Sequence, residues 1–388
     1  MKKLVQQVNQ ATAWQSFLPD LAAWTIEEGI RIQQIPAPTF EETERAAYVA
    51  EQFRHFGLSD ISIDEQKNVY GRIIGRQSTP ALLLMAHTDT VFTRETDLSL
   101  RHEPDLIYGA GLGDNSMGVA GLLSLIKYHH QHAITPACDI WCVATSCEEG
   151  LGDLNGVRAA FARLRPLLGA VINLEGIAFG HVYHAGIAVS RWHITAHSEG
   201  GHSWLHFGKP SAVHGIMELG SAICKLKPPA NPRTTYNIGM VEGGQTINSI
   251  ASYAGLWLDM RSEQQDALDM LAQQVYSLVQ AAQTQGLAFE VKIVGNRPAG
   301  YLSSRHPLVL GALAALEEVG VRGTLETGST DGNIPLQAGC PTVTIGITRG
   351  GNAHRTDEYI ETSAVANGIR QLLALAQATT LWLTTGDA

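Results

Sequence analysis

Positive charge is what this sequence has least of: 27 lysines and arginines face 37 aspartates and glutamates, for a net charge of −10. Nucleic-acid phosphates demand basic surface, so a nucleic-acid partner is excluded, and an anionic membrane face with it. Long apolar runs are missing too. No stretch approaches the ~18 apolar residues of a membrane-spanning helix. The opening "MKKLVQQVNQATAW" has two lysines with no apolar segment behind them, so no secretory signal is expected. Cysteine is sparse and odd in number: Cys138, Cys142, Cys147, Cys224 and Cys340. That argues against a disulfide framework and for a reducing, cytoplasmic setting. Cys138 and Cys142 have the spacing of a metal pair, but they flank a strand-like run and read as core thiols. Charged residues make up only 16% and hydrophobic residues 45%, which excludes a disordered chain and allows a large core. The 388 residues suffice for two domains at roughly 150 residues each.

What is present is an alternation of short apolar runs with helical spacing. Residues 12–33 and 40–56 read as amphipathic helices, the second with Thr39 as N-cap and acids in its first turn. Strands follow near 61–64, 69–74 and 81–87. A glycine-rich loop, "YGAGLGDNSMG", leads into a helix from about Ser116. A strand at 140–146, a helix near 156–166 and the strand "GAVINLEG" continue the pattern. Strands alternating with helices predict an α/β fold, a mixed sheet with helices on both faces. Near residue 182 the texture changes. Residues 182–297 read strand, helix, two strands, helix, strand, a self-contained ferredoxin-like order. The α/β pattern then resumes with a helix near 306–318 and the strand "PTVTIGI". The predicted organisation is a catalytic domain split into 1–181 and 298–388, with 182–297 inserted as a smaller α+β domain.

Open α/β sheets bind ligands beyond the carboxyl ends of their strands. Polar residues gather at those positions: His87 and Asp89 after "LLLMA", Glu148 and Glu149 after the strand at 140–146, Glu175 after "AVINL", and His354 beyond "PTVTIGI". Asp114 lies in the glycine-rich loop. Singly, each has a bland reading: a satisfied histidine, a solvated turn, a helix cap. Together they would cluster carboxylates at a cost that a cation must offset. Two histidines with oxygen donors suit zinc or a similar borderline metal, and the set is large enough for two ions with one bridging carboxylate. His129, His130 and His132 instead end a helix and read as favouring its dipole.

The stretches "MAHTDTV", "GAGLGDNSMGVAGLL", "SCEEGLG", "NLEG", "GGHSW", "LDMRS", "STDGNIP" and "NAHRTDEYI" resemble, in order over nearly the whole chain, those of the M20 family of metallopeptidases. "GDNSMG" and "HRTDEYI" are most similar to its peptidase T-like branch. The resemblance implies a zinc-exopeptidase catalytic domain with an inserted lid and dimerisation domain. It implies two zinc ions, with cobalt or manganese able to use the same donors. Asp114 would bridge them, His87 and Glu175 would complete one shell, and Glu149 and His354 the other. Glu148 would be the general base acting on a metal-bridging hydroxide, and Asp89 would hydrogen-bond the ring of His87. A cis peptide after the bridging aspartate, at Asp114–Asn115, is part of the same expectation.

In the inserted domain the resemblance gives His202 the stabilisation of the tetrahedral oxyanion, reached across a homodimer. Arg261 and Asn248 would hold the substrate's carboxylate or backbone. Ser329 and Thr330 would line the cleft. The implied activity is hydrolysis of short peptides, as an aminopeptidase of the tripeptidase type. N-acyl amino acid deacylase and carboxypeptidase are the alternatives within the family. A catalytically silent, metal-bound dimeric binding protein is the alternative outside enzymes, and the retained Glu148 argues against it.

Overall fold

Leu82 to Met85 carry no polar group because both faces of their strand are covered. In the computed structural model, which describes residues 1–386, Ala81–His87 is buried at every position. Leu82, Leu84 and Ala86 point into one core, shared with the helices Gly118–Gln131, Leu18–Gln33, Pro307–Glu317 and Val365–Thr385. Leu83 and Met85 point into a second, under the helix Asn155–Leu164. Side chains alternate across a strand, so one apolar run serves both layers. Each fully buried leucine contributes about 1.5–3 kcal/mol.

The sheet has nine strands. Its order is Ser59–Ile63, Val69–Ile73, Ile140–Thr145, Ala81–His87, Leu168–Glu175, Thr342–Gly346, His181–Gly186 and Gly300–Tyr301, with Thr324–Gly328 also paired to His181–Gly186. The four strands from Ile140–Thr145 to Thr342–Gly346 run parallel, and the pairs toward both edges include antiparallel ones. Register sets the functional edge: His87 lies opposite Thr145, Met85 opposite Asn173, and Gly346 opposite Glu175. Four strand ends therefore finish at one level.

The chain forms two compact units, one of Met1–Gly186 with Gly300–Ala388 and one of Ile187–Ala299. The sequence boundary at 181/182 differs from Gly186 because His181–Gly186 pairs with Thr342–Gly346 and stays in the large sheet. The smaller unit has an antiparallel sheet in the order Thr234–Gly243, Tyr253–Ser262, Ala188–Ser198, Leu287–Arg297. Helices Ala212–Ile223 and Gln265–Ala282 share its core. In chain order this is 2-3-1-4, the ferredoxin-like arrangement read from the sequence.

Other local expectations need correction. The helix after "PAPTF" is Thr43–His55 with Glu42 before it, so Thr39 is not its cap. Residues 12–33 hold one turn, Trp14–Ser16, and the helix Leu18–Gln33. His129 does not serve a helix dipole as a solvated cation: it is buried, and burial holds its ring below the usual histidine range. Helices Lys2–Ala11 and Val365–Thr385 add to what the spacing predicts. All five cysteines are unpaired, with Cys138 and Cys142 fully buried. No helix among the described residues is long and apolar enough to cross a membrane.

Candidate metal and catalytic centre

The next two strands of the large sheet after Ala81–His87 to pair with it, Ile140–Thr145 and Leu168–Glu175, lie on opposite sides of it. Connections diverging from one strand open a crevice at its carboxyl end. His87 closes that strand, and Glu175 closes its neighbour. Nε2 of His87 is 3.2 Å from Oδ1 of Asp114 and 3.5 Å from Oε2 of Glu175. Nε2 of His354 is 3.2 Å from the other oxygen of Asp114 and 3.0 Å from Oε1 of Glu149. Asp114 thus presents one oxygen to each of two imidazoles. Side-chain donor atoms of His87, Asp114 and Glu149 all lie within 4.8 Å of one another.

Asp114 reaches this point through an irregular turn, Leu112–Met117, where it and Asn115 leave helical geometry. The Asp114–Asn115 peptide is cis, as the family resemblance implies. Asn115 bridges to the neighbouring strand, donating to the carbonyl of Leu174 at 2.9 Å and accepting from the amide of Gly176 at 2.8 Å. Glu358 holds the other side of the turn: its Oε1 accepts the amides of Gly113 and Asp114 at 2.6 and 2.9 Å. Its Oε2 is buried without a partner, and burial pushes the carboxyl up to about 8.

Asp89 is fully buried, and its carboxylate does more than face His87. Oδ1 accepts the amide of Glu148 and Oδ2 that of Glu149, each at 2.9 Å, and Thr39 Oγ1 donates to Oδ2 at 2.8 Å. Nδ1 of His87 is 3.1 Å from the backbone carbonyl of Asp89 and 3.5 Å from its carboxylate. The carbonyl is thus the closer partner for the ring. Either contact leaves Nε2 to face the carboxylates.

The charge distribution calls for a cation. Burial opposes a charged His87, yet Glu175, Asp114 and Asp89 outweigh it and hold the ring well above the usual histidine range. Hydrogen bonds to Asp114 and Glu149 raise His354 to about 10. Both rings are driven to keep a proton at positions where a divalent ion would supply the same positive charge. Donors of this type, imidazole nitrogen with carboxylate oxygen, fit zinc and its neighbours.

Farther back, Asn173 Nδ2 donates to Oε1 of Glu175 at 3.2 Å. Asp331 is fully buried, accepts from Thr145 Oγ1 at 2.5 Å, and is raised to about 7 by burial. Thr330 Oγ1 lies 3.4 Å from Asn173 Nδ2, and Ser329 precedes it in a half-buried loop. His202 and Asn248 come together in the smaller unit, where His202 pairs with Ser249 and Asn248's carbonyl accepts from Ser203. Both are exposed there. Arg261, on the strand Tyr253–Ser262, donates through Nε to Asp259 at 2.7 Å. Sequence reading passed over Thr39, Glu42, Asn173, Asp331 and Glu358 as site residues. The last three sit inside "NLEG", "STDGNIP" and "NAHRTDEYI", but nothing local sets their side chains apart from solvated ones.

The sequence profile of the peptidase family M20/M25/M40 matches residues 83–378. The chain is 29% identical over 376 residues to an acetylornithine deacetylase from Edwardsiella ictaluri, covering 89% of this chain and 86% of that one. A tripeptidase structure from Staphylococcus aureus superposes with a TM-score of 0.76 at 18% identity, over 93% of this chain and 99% of the other. A dinuclear metal binding peptidase of the M20 family, the YXEP protein of Bacillus subtilis, gives a TM-score of 0.67 at 16% identity, over 95% and 99%. With the profile running from the strand that ends in His87 to beyond the loop that carries His354, the chain belongs to the peptidase family M20/M25/M40 and is a hydrolase of peptide or amide bonds.

Proposed function

We propose that the protein is a dinuclear, zinc-dependent hydrolase of short peptides, an aminopeptidase of the tripeptidase type. The observation that carries the dinuclear reading is Asp114, whose two oxygens each lie 3.2 Å from a different histidine. His87 and Glu175 would hold one ion, Glu149 and His354 the other, and Asp114 both. Cobalt or manganese would use the same donors. When bound, such a pair supplies Lewis acidity and lowers the pKa of water toward neutrality.

The chain's own residues do the rest. Glu148, at the end of the same loop as Glu149, takes the proton of the attacking water on its carboxylate and passes it to the leaving amine. Asp89 fixes that loop by accepting the amides of both glutamates. His202 stabilises the negative oxygen that develops on the scissile carbonyl. Arg261 and Asn248 hold the substrate's carboxylate or backbone, and Ser329 and Thr330 line the cleft. The smaller unit is the dimerisation domain in this reading. Its strand Thr234–Gly243 is at the edge of the sheet and exposed along most of its length, which leaves it open to a second copy.

Glu148→Ala tests the chemistry. It should lower turnover by about 10²–10⁴-fold with bound metal unchanged; wild-type turnover would remove Glu148 from its role. A panel of free tripeptides, the same tripeptides with blocked amino ends, and N-acetyl amino acids tests the substrate class. Cleavage confined to free amino ends supports the aminopeptidase. Cleavage of acetylated amino acids alone supports the second reading, an N-acyl amino acid deacylase, which the likeness to an acetylornithine deacetylase favours.

A further inference from the structure

The segment Pro38–Glu42 lies outside residues 83–378, the stretch that carries the family profile. Yet it reaches the loop bearing Glu148 twice, directly at Cys147 through Glu42 and indirectly through Asp89 by Thr39. Successive amides of that loop, those of Ser146, Cys147, Glu148 and Glu149, donate to side-chain oxygens: Asn68 Oδ1 at 3.0 Å, Glu42 Oε1 at 3.1 Å, and the two oxygens of Asp89 at 2.9 Å each. The loop has no backbone ladder to aim it. Its direction is set by acceptors brought from elsewhere in the chain.

Glu42 is one of them. Its side chain is fully buried, and Oε1 also accepts the amide of Phe40 at 3.0 Å and the thiol of Cys147 at 3.3 Å. Lys67 is 3.4 Å from Oε2 and balances the charge. Cys147 itself has φ of +53°, a left-handed conformation that a side-chain-bearing residue keeps only when its surroundings impose it. Three residues upstream, Thr39 Oγ1 donates to the Asp89 oxygen that also receives the Glu149 amide. Ala37 and Pro38 are joined to Thr90, just past Asp89, by a 2.9 Å hydrogen bond and a β-bridge.

We propose that Glu42 and Thr39 are positioning residues for the proton transfer: Glu42 fixes the Cys147 peptide, and with it the starting point of Glu148, and Thr39 fixes the carboxylate that holds the Glu148 and Glu149 amides. This rests on Glu148 being the general base. A base displaced by about 1 Å loses on the order of 10²-fold in rate, whereas the metal donors and the substrate contacts are not in the segment.

The test compares Glu42→Ala, Glu42→Gln, Thr39→Val and Glu148→Ala for kcat, KM, bound zinc and melting temperature on one cleaved peptide. Glu42→Ala should lower kcat by about 10–100-fold with KM and zinc content within about twofold of wild type. Glu42→Gln should restore most of that rate, because its amide oxygen still accepts from Cys147. Thr39→Val, which removes only a hydroxyl, should lower kcat by roughly 3–10-fold at unchanged zinc content. Wild-type kcat in Thr39→Val together with wild-type kcat in Glu42→Ala would overturn the proposal. So would a fall in rate that only tracks lost zinc or lost folded protein and is not rescued by glutamine. If Glu42→Ala does not fold, Thr39→Val and Glu42→Gln decide it, and wild-type kcat in Thr39→Val then overturns it. An active Glu148→Ala would instead sink the general-base reading itself, while a dead Glu148→Ala beside active segment variants would sink only this inference.

Discussion

Nδ1 of His87 lies closer to the backbone carbonyl of Asp89, 3.1 Å, than to its carboxylate, 3.5 Å. The carboxylate is instead occupied by the amides of Glu148 and Glu149 and the hydroxyl of Thr39. Asp89 therefore ties His87 to the loop of Glu148 and Glu149, the first through its main chain and the second through its side chain. Asp89→Asn replaces one accepting oxygen with an NH2 that opposes an amide N–H. It should reduce kcat/KM by about 10–100-fold, the usual loss when a residue supporting a metal donor is changed. Steady-state kinetics with metal analysis would check this, and wild-type kinetics would show that the carboxylate is dispensable.

The two histidines serve different oxygens of Asp114. Metal-stripped protein should regain a higher melting temperature on adding zinc, since a ligand at 100 times its Kd stabilises by about 2.7 kcal/mol. On the proposed dinuclear reading wild type should bind about two ions per chain and His354→Ala about one, because one shell of donors loses its imidazole. Equilibrium dialysis with elemental analysis gives the stoichiometry. Two ions retained at wild-type affinity would separate His354 from the centre.

Glu358 accepts two amides of the Asp114 turn through a single oxygen. Glu358→Ala leaves both buried and unpaired, at about 1–3 kcal/mol each. The melting temperature should fall by several degrees and zinc affinity with it. Glu358→Gln keeps an accepting oxygen and should lie between alanine and wild type. Equal losses in the two variants would mean that the hydrogen bonds to the turn contribute nothing.

In the smaller unit, Arg191 and Arg261 reach the two oxygens of Asp259 at 3.0 and 2.7 Å. Burial pushes this carboxyl up, but the two guanidiniums outweigh it and hold it below the usual carboxylate range. A carboxyl with a depressed folded pKa adds stability above its unfolded value of 3.8, and that contribution is lost as pH falls through the folded value. Asp259→Asn should therefore melt lower than wild type at neutral pH, with the gap closing toward strong acid. Thermal melts across that range would show it; a gap independent of pH would count against the ion pair.

The helical and strand segments were legible where spacing was long and regular, as in Ala81–His87 and Gly118–Gln131. The candidate donors were legible because histidine and acid at the end of an apolar strand have no packing purpose. Thr39 was misread because a threonine before acids and an amphipathic run carries the same local signal as a helix cap, and only the distant Asp89 distinguishes the two. Glu358 and Asp331 gave no separate signal, since a buried acid that accepts hydrogen bonds looks in sequence like a solvated one.

The sequence by itself determined the α/β alternation, the inserted ferredoxin-like unit and the identity of the candidate donors, because periodicity and residue chemistry are local properties. Tertiary structure alone decided which oxygen of Asp114 meets which histidine, and which side chains hold the amides of residues 146–149. Those contacts join residues from 42 to 354 across the sheet, and a distance of 3 Å between them is fixed by strand register and crossover, which no local pattern encodes.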